Sequence, residues 1–161
     1  MPKVYLASDH AGFALKKALE THFRTLGYEL EDCGAHELNH DDDYPDFVTP
    51  CAEKVAAHAG SFGIVIGGSG QGEAMCANRV KGVRAAIFYG PGKVTEALEI
   101  EGGRSEDGYD LVRLARRHNN ANVLSLGARF ISGDEAVQAV NLFLTTPFSE
   151  AVRHTRRLAK F

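Results

Sequence analysis

The chain has 161 residues, 44% of them apolar and 24% charged, which fits one globular domain and leaves too little sequence for two independent cores. Its formal net charge of −3 argues against a protein that coats nucleic acid, because such binding depends on neutralising many phosphates. No apolar run approaches the roughly 20 residues that span a bilayer, and no signal sequence is recognisable, so we expect a cytoplasmic protein with no nucleic-acid or membrane partner.

Short apolar runs alternate along the chain with longer segments of helical period, which is the pattern of βαβ units. The predicted strands are residues 3–8, 28–33, 62–66, 83–89 and 122–126. The predicted helices are residues 12–26, 47–59, the second half of 67–79, 110–117, 133–144 and a basic C-terminal helix at about 147–160. An elaborated loop at about 90–108 contains one helix-capable piece, 93–100. We therefore predict a single α/β domain over 1–161, a three-layer α/β/α Rossmann-like fold with a five-stranded parallel sheet.

Local signals refine three of these helices. The first is predicted to turn five apolar side chains inward: Phe13, Leu15, Leu19, Phe23 and Leu26. Gly27 then supplies a left-handed cap. Proline is tolerated only in the first turn of a helix, so Pro50 and Pro147 are expected in the first turns of the second and last helices.

The three cysteines, Cys33, Cys51 and Cys76, form no CxxC pair, and their odd number leaves one unmatched in any disulfide scheme. A zinc knuckle and a secreted disulfide scaffold are therefore both excluded, and we expect reduced thiols. Cys76 is interpreted as a small buried hydrophobe rather than a nucleophile.

Ligands of open parallel sheets bind beyond the carboxyl ends of the strands, so functional residues are expected in the loops there. The first strand leads into Asp9 and His10, a carboxylate and an imidazole at a predicted helix start. Either the two residues belong to a functional site, or Asp9 is an ordinary N-cap and His10 a solvated first-turn residue.

The third strand leads into a glycine loop, and six of the 17 glycines fall between residues 60 and 72. The run Gly67-Gly68-Ser69-Gly70-Gln71-Gly72-Glu73 matches neither the P-loop nor the dinucleotide motif. Backbone amides there can face an anion, but Glu73 would repel a bound phosphate. The loop suits an oxyanion that forms when a nearby base removes a proton; the alternative is that Glu73 merely complements the helix dipole.

The last predicted helix carries Arg153 and Arg157 at a spacing of four, on one face, with His154 beside them. Such a pair can hold a phosphate from two sides, although a solvated basic face is the alternative. His118 lies where a helix gives way to the fifth strand and is either an acid–base group or a helix cap.

A further polar cluster lies in the loop after the second strand. It contains His36, His40, Asp41, Asp42 and Asp43. These are metal-ligand residue types without regular ligand spacing, so a solvated acidic loop is the favoured interpretation and no metal site is predicted.

Taken in chain order, these motifs resemble those of the type B ribose-5-phosphate isomerases, which are grouped with the two-subunit galactose-6-phosphate isomerases. The matching stretches are SDHAGF at 8–13, DYPD at 43–46, GGSGQGEAMCANR at 67–79, GVRA at 82–85, RHNNAN at 117–122 and RHTRR at 153–157. One subgroup of that family uses a cysteine base at the position that is Gly67 here. The other uses the glutamate of GGSGxGE, so the resemblance implies that Glu73 is the base. The 90–108 stretch is longer than the family pattern.

The resemblance implies an aldose–ketose isomerase that interconverts ribose 5-phosphate and ribulose 5-phosphate through a cis-enediolate, with no cofactor and no metal. The implied catalytic residues are Glu73, Ser69, His118 and Asp9. The implied substrate-binding residues are His10, Gly68, Gly70, Gln71, Gly72, Ala74, Asn119, Arg129, Arg153, His154 and Arg157.

The alternatives are an isomerase of another sugar phosphate (galactose or allose 6-phosphate, or a tetrulose phosphate) and a non-catalytic sugar-phosphate sensor. The resemblance also implies a homodimer or a dimer of dimers in which His118 and the arginines of one chain complete the site around Glu73 of another.

Overall fold

Five parallel strands form the centre of the computed structural model, which describes residues 1–98 and 103–160. The strands are β1 (Lys3–Ser8), β2 (Glu29–Asp32), β3 (Phe62–Gly67), β4 (Ala85–Phe88) and β5 (Val123–Gly127). Their order in the sheet is β2-β1-β3-β5-β4, and every neighbouring pair is parallel. The helices are α1 (Phe13–Thr25), α2 (Pro45–Ala57), α3 (Gln71–Ala77), α4 (Asp110–Asn119), α5 (Gly133–Thr145) and α6 (Val152–Leu158). The predicted α/β class and parallel sheet are confirmed.

Both faces of the sheet are covered, which is why its strands read as nearly continuous apolar runs. On one face, Ile64 and Leu124 pack under α1, α4 and α5. On the other face, Val65 and Val123 pack under α2 and α3. Consecutive residues of one strand thus enter opposite layers of the core, which gives the three-layer architecture its two apolar interiors.

Several boundary predictions are wrong at the helices. Leu26 lies outside α1 and is 47% exposed, because the helix ends at Thr25 and Gly27 turns the chain with φ +83°. Pro50 lies inside α2, which begins earlier than predicted, at Pro45. The last helix is shorter than predicted: α6 begins at Val152, so Pro147 precedes it rather than occupying its first turn.

The elaborated loop also differs from its prediction. Residues 93–98 are not helical, and the rest of the predicted 93–100 piece lies outside the described residues. Arg113 of α4 contacts Asp107 and the Ser105 hydroxyl at the end of the loop, and it also pairs with Asp110 within α4. The described end of the loop, residues 103–108, is therefore held against α4.

The inward face of α1 contains a charged residue that the apolar pattern did not predict. Lys16 is fully buried, forms an ion pair with Asp32 at the end of β2, and donates to the Ala35 carbonyl at 2.6 Å. Burial lowers its pKa, and the hydrogen bond to Asp32 opposes that effect. Lys16 thereby fastens the loop that follows β2 to the body of the domain.

Two sequence expectations concern residues outside the sheet. Cys33, Cys51 and Cys76 are free thiols, as predicted, although Cys76 is only half-buried and lies 3.3 Å from the Thr49 hydroxyl.

Among the described helices, none is both long enough and apolar enough to cross a membrane.

Candidate functional site

The carboxyl edge of the sheet gathers four loops. Because β1, β2, β3 and β5 are parallel neighbours, the segments that follow them emerge on the same side. These segments carry Asp9 and His10 after β1, Asp42 after β2, the glycine loop after β3 and Arg129 after β5. The predicted loop residues therefore meet at one edge.

The glycine loop approaches its neighbours too closely for side chains. Gly70 precedes α3 with φ +75°, and a Cβ there would lie 2.9 Å from the carbonyl carbon of Leu126. The Ser125 hydroxyl donates to the Gly70 carbonyl at 2.6 Å and fixes the turn from the neighbouring strand. A Cβ at Gly72 would lie 2.8 Å from the ring of Tyr44. The loop is thus held between β5 and the start of α2.

Glu73 stands in the first turn of α3 and is only 4% exposed. Its carboxyl group lies directly against the Cα of Gly67, so a Cβ at position 67 would overlap Oε1 and the carboxyl carbon. Burial raises the pKa of Glu73 above its ordinary value; a hydrogen bond from its own backbone N–H opposes this, and the charge of Asp9 adds to it. A buried carboxylate with a raised pKa is a suitable proton-transfer group.

Asp9 and His10 lie beside this carboxylate in a tight turn. Asp9 is 8% exposed, and its Oδ1 accepts hydrogen bonds from the N–H groups of Ala11 at 2.9 Å and Gly12 at 3.2 Å. His10 Nδ1 lies 2.6 Å from Oδ1 of Asp42. Ligand atoms of Asp9, His10 and Asp42 all lie within 4.8 Å of one another, but the His10–Asp42 contact has the length of a hydrogen bond, so we assign a proton to it rather than a metal ion.

Arg129 lies over the glycine loop from the β5 side. A Cβ at Gly68 would lie 3.3 Å from its guanidinium, and the backbone N–H of Arg129 donates to the Gly68 carbonyl at 3.1 Å. Within the loop, the Ala74 N–H already donates to the Gly70 carbonyl at 3.1 Å, and the Gln71 N–H lies 3.4 Å from the Ser69 hydroxyl. A ligand here would meet the earlier amides of the loop more readily than that of Ala74.

The remaining predicted residues lie at the amino edge of the sheet. His118 and Asn119 are in the last turn of α4, which leads into the start of β5. The ring of His118 lies 4.1 Å, between centroids, from that of His154 in α6. The Ser149 N–H donates to the Arg117 carbonyl at 3.0 Å, so the segment before α6 is held against the end of α4.

His154 organises this second group. It is 3% exposed, its Nδ1 lies 2.8 Å from the Ser149 hydroxyl, and its Nε2 accepts from Nε of Arg153 at 3.1 Å. Arg153 is thereby oriented by a buried ring, while Arg157 is exposed one turn further along α6.

The two groups of predicted residues do not meet within one chain. Four residue steps along β5, about 13 Å, separate the edge with Glu73 from the edge with His118. Asp9, His10 and Glu73 lie at the carboxyl edge, whereas His118 and the arginines of α6 lie at the amino edge of the same chain. Each edge presents only part of the predicted site.

Three residues at the carboxyl edge were not predicted. Asp42, interpreted as part of a solvated loop, has a side chain only 6% exposed and contacts His10. Tyr44 packs on Gly72, and Ser125 holds Gly70. One signal could have found Asp42: the loops after β1 and β2 must emerge side by side if the first two strands pair in parallel.

Comparison with known proteins gives a consistent result. The family model for the Ribose/Galactose Isomerase family matches residues 4–103 and 106–161. Ribose-5-phosphate isomerase B of Mycobacterium leprae is 40% identical over 156 residues, which is 97% of this chain and 85% of the relative.

Solved structures agree. The crystal structure of ribose-5-phosphate isomerase B from Mycoplasma genitalium with bound ribulose-5-phosphate matches with a TM-score of 0.84 and 36% identity, over 98% of this chain and 92% of that one. The ribose 5-phosphate isomerase B of Anaplasma phagocytophilum matches with a TM-score of 0.83 and 37% identity, over 99% and 96%.

Proposed function

This chain belongs to the ribose/galactose isomerase family, and from that premise we propose that it interconverts ribose 5-phosphate and ribulose 5-phosphate through a cis-enediolate, with Glu73 as the base. The aldose and the ketose are isomers that differ in the positions of two hydrogens: one moves from C2 to C1, and one moves from O2 to O1. The reaction therefore needs a base, groups that stabilise the enediolate oxygens and groups that bind the phosphate.

The position of Glu73 is the observation that carries the proposal. The carboxyl group fills the space beside Gly67 that a side chain would otherwise occupy, at the entrance of the glycine loop. Burial raises its pKa, which brings its basicity closer to that needed for taking a proton from a sugar carbon. Removal of the C2 proton leaves the enediolate next to the loop amides, and the same carboxylic acid returns the proton to C1.

Other groups of this edge take the remaining tasks at the sugar. Ser69, one residue before the turn at Gly70, would move the proton between O1 and O2. The N–H groups of Gly70, Gln71 and Gly72 would stabilise the negative oxygen, a contribution of about 3 kcal/mol for a well-placed donor. Each of these steps uses only groups of the polypeptide.

The separation of the two edges supports a site completed by a second copy of the chain. His118 would open the sugar ring together with Asp9, and Asn119 would orient the sugar. Arg153 and Arg157 would bind the phosphate with His10 and Arg129. Because His118 and Arg153 lie across the sheet from Glu73 in the same chain, the ones that serve Glu73 would come from the neighbouring subunit of a homodimer or a dimer of dimers.

The test is incubation of the protein with ribose 5-phosphate in deuterated water, followed by proton NMR. We expect ribulose 5-phosphate to form with solvent deuterium entering the sugar. The Glu73→Gln variant should lose about 10³-fold in kcat, because the amide cannot accept the proton. Glu53→Gln, an exposed change on α2, is the matched control and should retain full activity.

Two results would refute the assignment. Undiminished turnover by Glu73→Gln would remove Glu73 as the base. Turnover of a hexose or tetrose phosphate with no turnover of ribose 5-phosphate would show that the substrate is a sugar phosphate of another chain length.

A further inference from the structure

The loop after β2 supplies His10 with a buried carboxylate. Oδ1 of Asp42 lies 2.6 Å from Nδ1 of His10 and 3.1 Å from the His10 backbone nitrogen, which donates to it. The Asp42 side chain is only 6% exposed, and its second oxygen, Oδ2, is buried without a hydrogen-bond partner among the described residues. One carboxylate oxygen thus holds both the main chain and the ring of His10.

This double contact determines where the other ring nitrogen lies. With Nδ1 against Asp42, Nε2 is on the far side of the imidazole, and no hydrogen bond to it occurs within residues 1–98 and 103–160. The ring is partly exposed, at 28%, so Nε2 is accessible to a ligand.

The charges around the ring come from three loops. The hydrogen bond to Asp42 is the main cause of a raised pKa at His10; partial desolvation opposes it, Asp9 and Asp42 add to it by charge, and Arg129 lowers it. The His40 ring lies 5.8 Å away, from the same loop as Asp42. The groups around the His10 ring are therefore two carboxylates, which raise its pKa, together with one guanidinium and one further imidazole.

We propose that Asp42 is a positioning residue that fixes the His10 ring and keeps it an imidazolium, so that Nε2–H donates to the phosphate of the sugar substrate. The inference rests on the proposed function and adds to it a residue and a pH dependence. An imidazolium forms a charge-assisted hydrogen bond to phosphate, which is about twice as strong as one from a neutral ring.

Replacing Asp42 by asparagine tests the charge without removing the contact. The amide oxygen of Asp42→Asn can still accept from the His10 N–H and from a neutral ring, but it no longer stabilises the cation. Just above pH 6.5, the ordinary pKa of histidine, we expect KM of Asp42→Asn for ribose 5-phosphate to be roughly fivefold that of the unmodified protein, with kcat unchanged within a factor of about two. At a pH low enough to protonate the His10 ring in both proteins, the two KM values should converge.

Asp41→Asn is the matched control, because Asp41 is exposed, adjacent in sequence and equal in charge. It should leave KM unchanged at every pH. His10→Gln should raise KM without the pH dependence, and adding Asp42→Asn to it should have no further effect on KM.

An NMR titration of the His10 ring in the substrate-free protein separates this inference from the proposed function. We expect the midpoint to fall in Asp42→Asn and to stay in Asp41→Asn. An unmoved midpoint, or a KM ratio equal at all pH values, would overturn the role of Asp42. If Asp42→Asn lowers the midpoint but the unmodified protein does not isomerise ribose 5-phosphate, the Asp42–His10 coupling is supported and the proposed function is refuted.

Discussion

The carboxyl and amino edges of the sheet differ in both burial and charge. At the carboxyl edge, Glu73 and Asp9 are acidic and more than nine-tenths buried. At the amino edge, Arg157 is exposed and Arg153 is oriented by the buried ring of His154. Burial suits the carboxylate proposed to take a proton from carbon, and exposure suits the guanidinium groups proposed to bind a phosphate dianion from water. One chain thus separates the buried carboxylate proposed as the base from the arginine pair proposed to bind the phosphate.

Of two substitutions that compare the edges, the larger effect is expected at the carboxyl edge, from Gly67. Gly67→Ala places a methyl group where the Glu73 carboxyl group lies, so the carboxylate must leave its buried position. We expect kcat to fall about 10²-fold with KM nearly unchanged, because a displaced base loses its alignment with the C2 hydrogen. Steady-state kinetics with ribose 5-phosphate measure the effect.

Gly133→Ala is the matched control for that change. Gly133 begins α5, and a Cβ there meets no atom within 4 Å. The control should retain wild-type kcat. Full activity in Gly67→Ala, with the fold intact by circular dichroism, would contradict the position assigned to the Glu73 carboxylate.

A smaller effect is expected at the amino edge. Arg157→Gln removes one charged donor from the proposed phosphate site, and we expect KM to rise roughly tenfold with kcat changed by less than a factor of three. Arg156→Gln removes the same charge from an exposed residue of α6 that is outside the proposed site, and it should leave KM unchanged. If the two substitutions raised KM equally, Arg153 and Arg157 would be part of a general basic surface rather than a specific phosphate site.

Much of the fold could be predicted, because the relevant signals are local. Apolar runs such as the one in β3 and the glycine after α1 gave the element order and the parallel sheet. The errors fall where tertiary contacts override local preference. Pro50 is exposed inside α2, whose residues Val48, Cys51 and Val55 pack in the core; the segment from Pro147 follows the end of α4 before α6 begins, held by the Ser149–Arg117 hydrogen bond.

The candidate site was predictable in its residue types and less so in its contacts. The loop composition indicated Glu73 and the resemblance made it a base, but the fit of its carboxyl group against Gly67 is a three-dimensional property. Asp42 was misinterpreted because it belongs to an acidic run, and only the packing of two adjacent loops buries one carboxylate of that run. Which side chains distant in sequence lie together becomes known only when the order of the strands in the sheet is known.

Mixing two inactive variants tests most directly whether the two edges form one site across two chains. Glu73→Gln lacks the base at the carboxyl edge, and His118→Asn lacks the imidazole at the amino edge. Subunits of the two variants are unfolded together, refolded as a mixture, and assayed with ribose 5-phosphate. Random dimerisation should restore about one quarter of the wild-type sites, because half of the dimers are mixed and each contains one intact site. Refolded mixtures that remain as inactive as the separate variants would contradict a site shared between subunits.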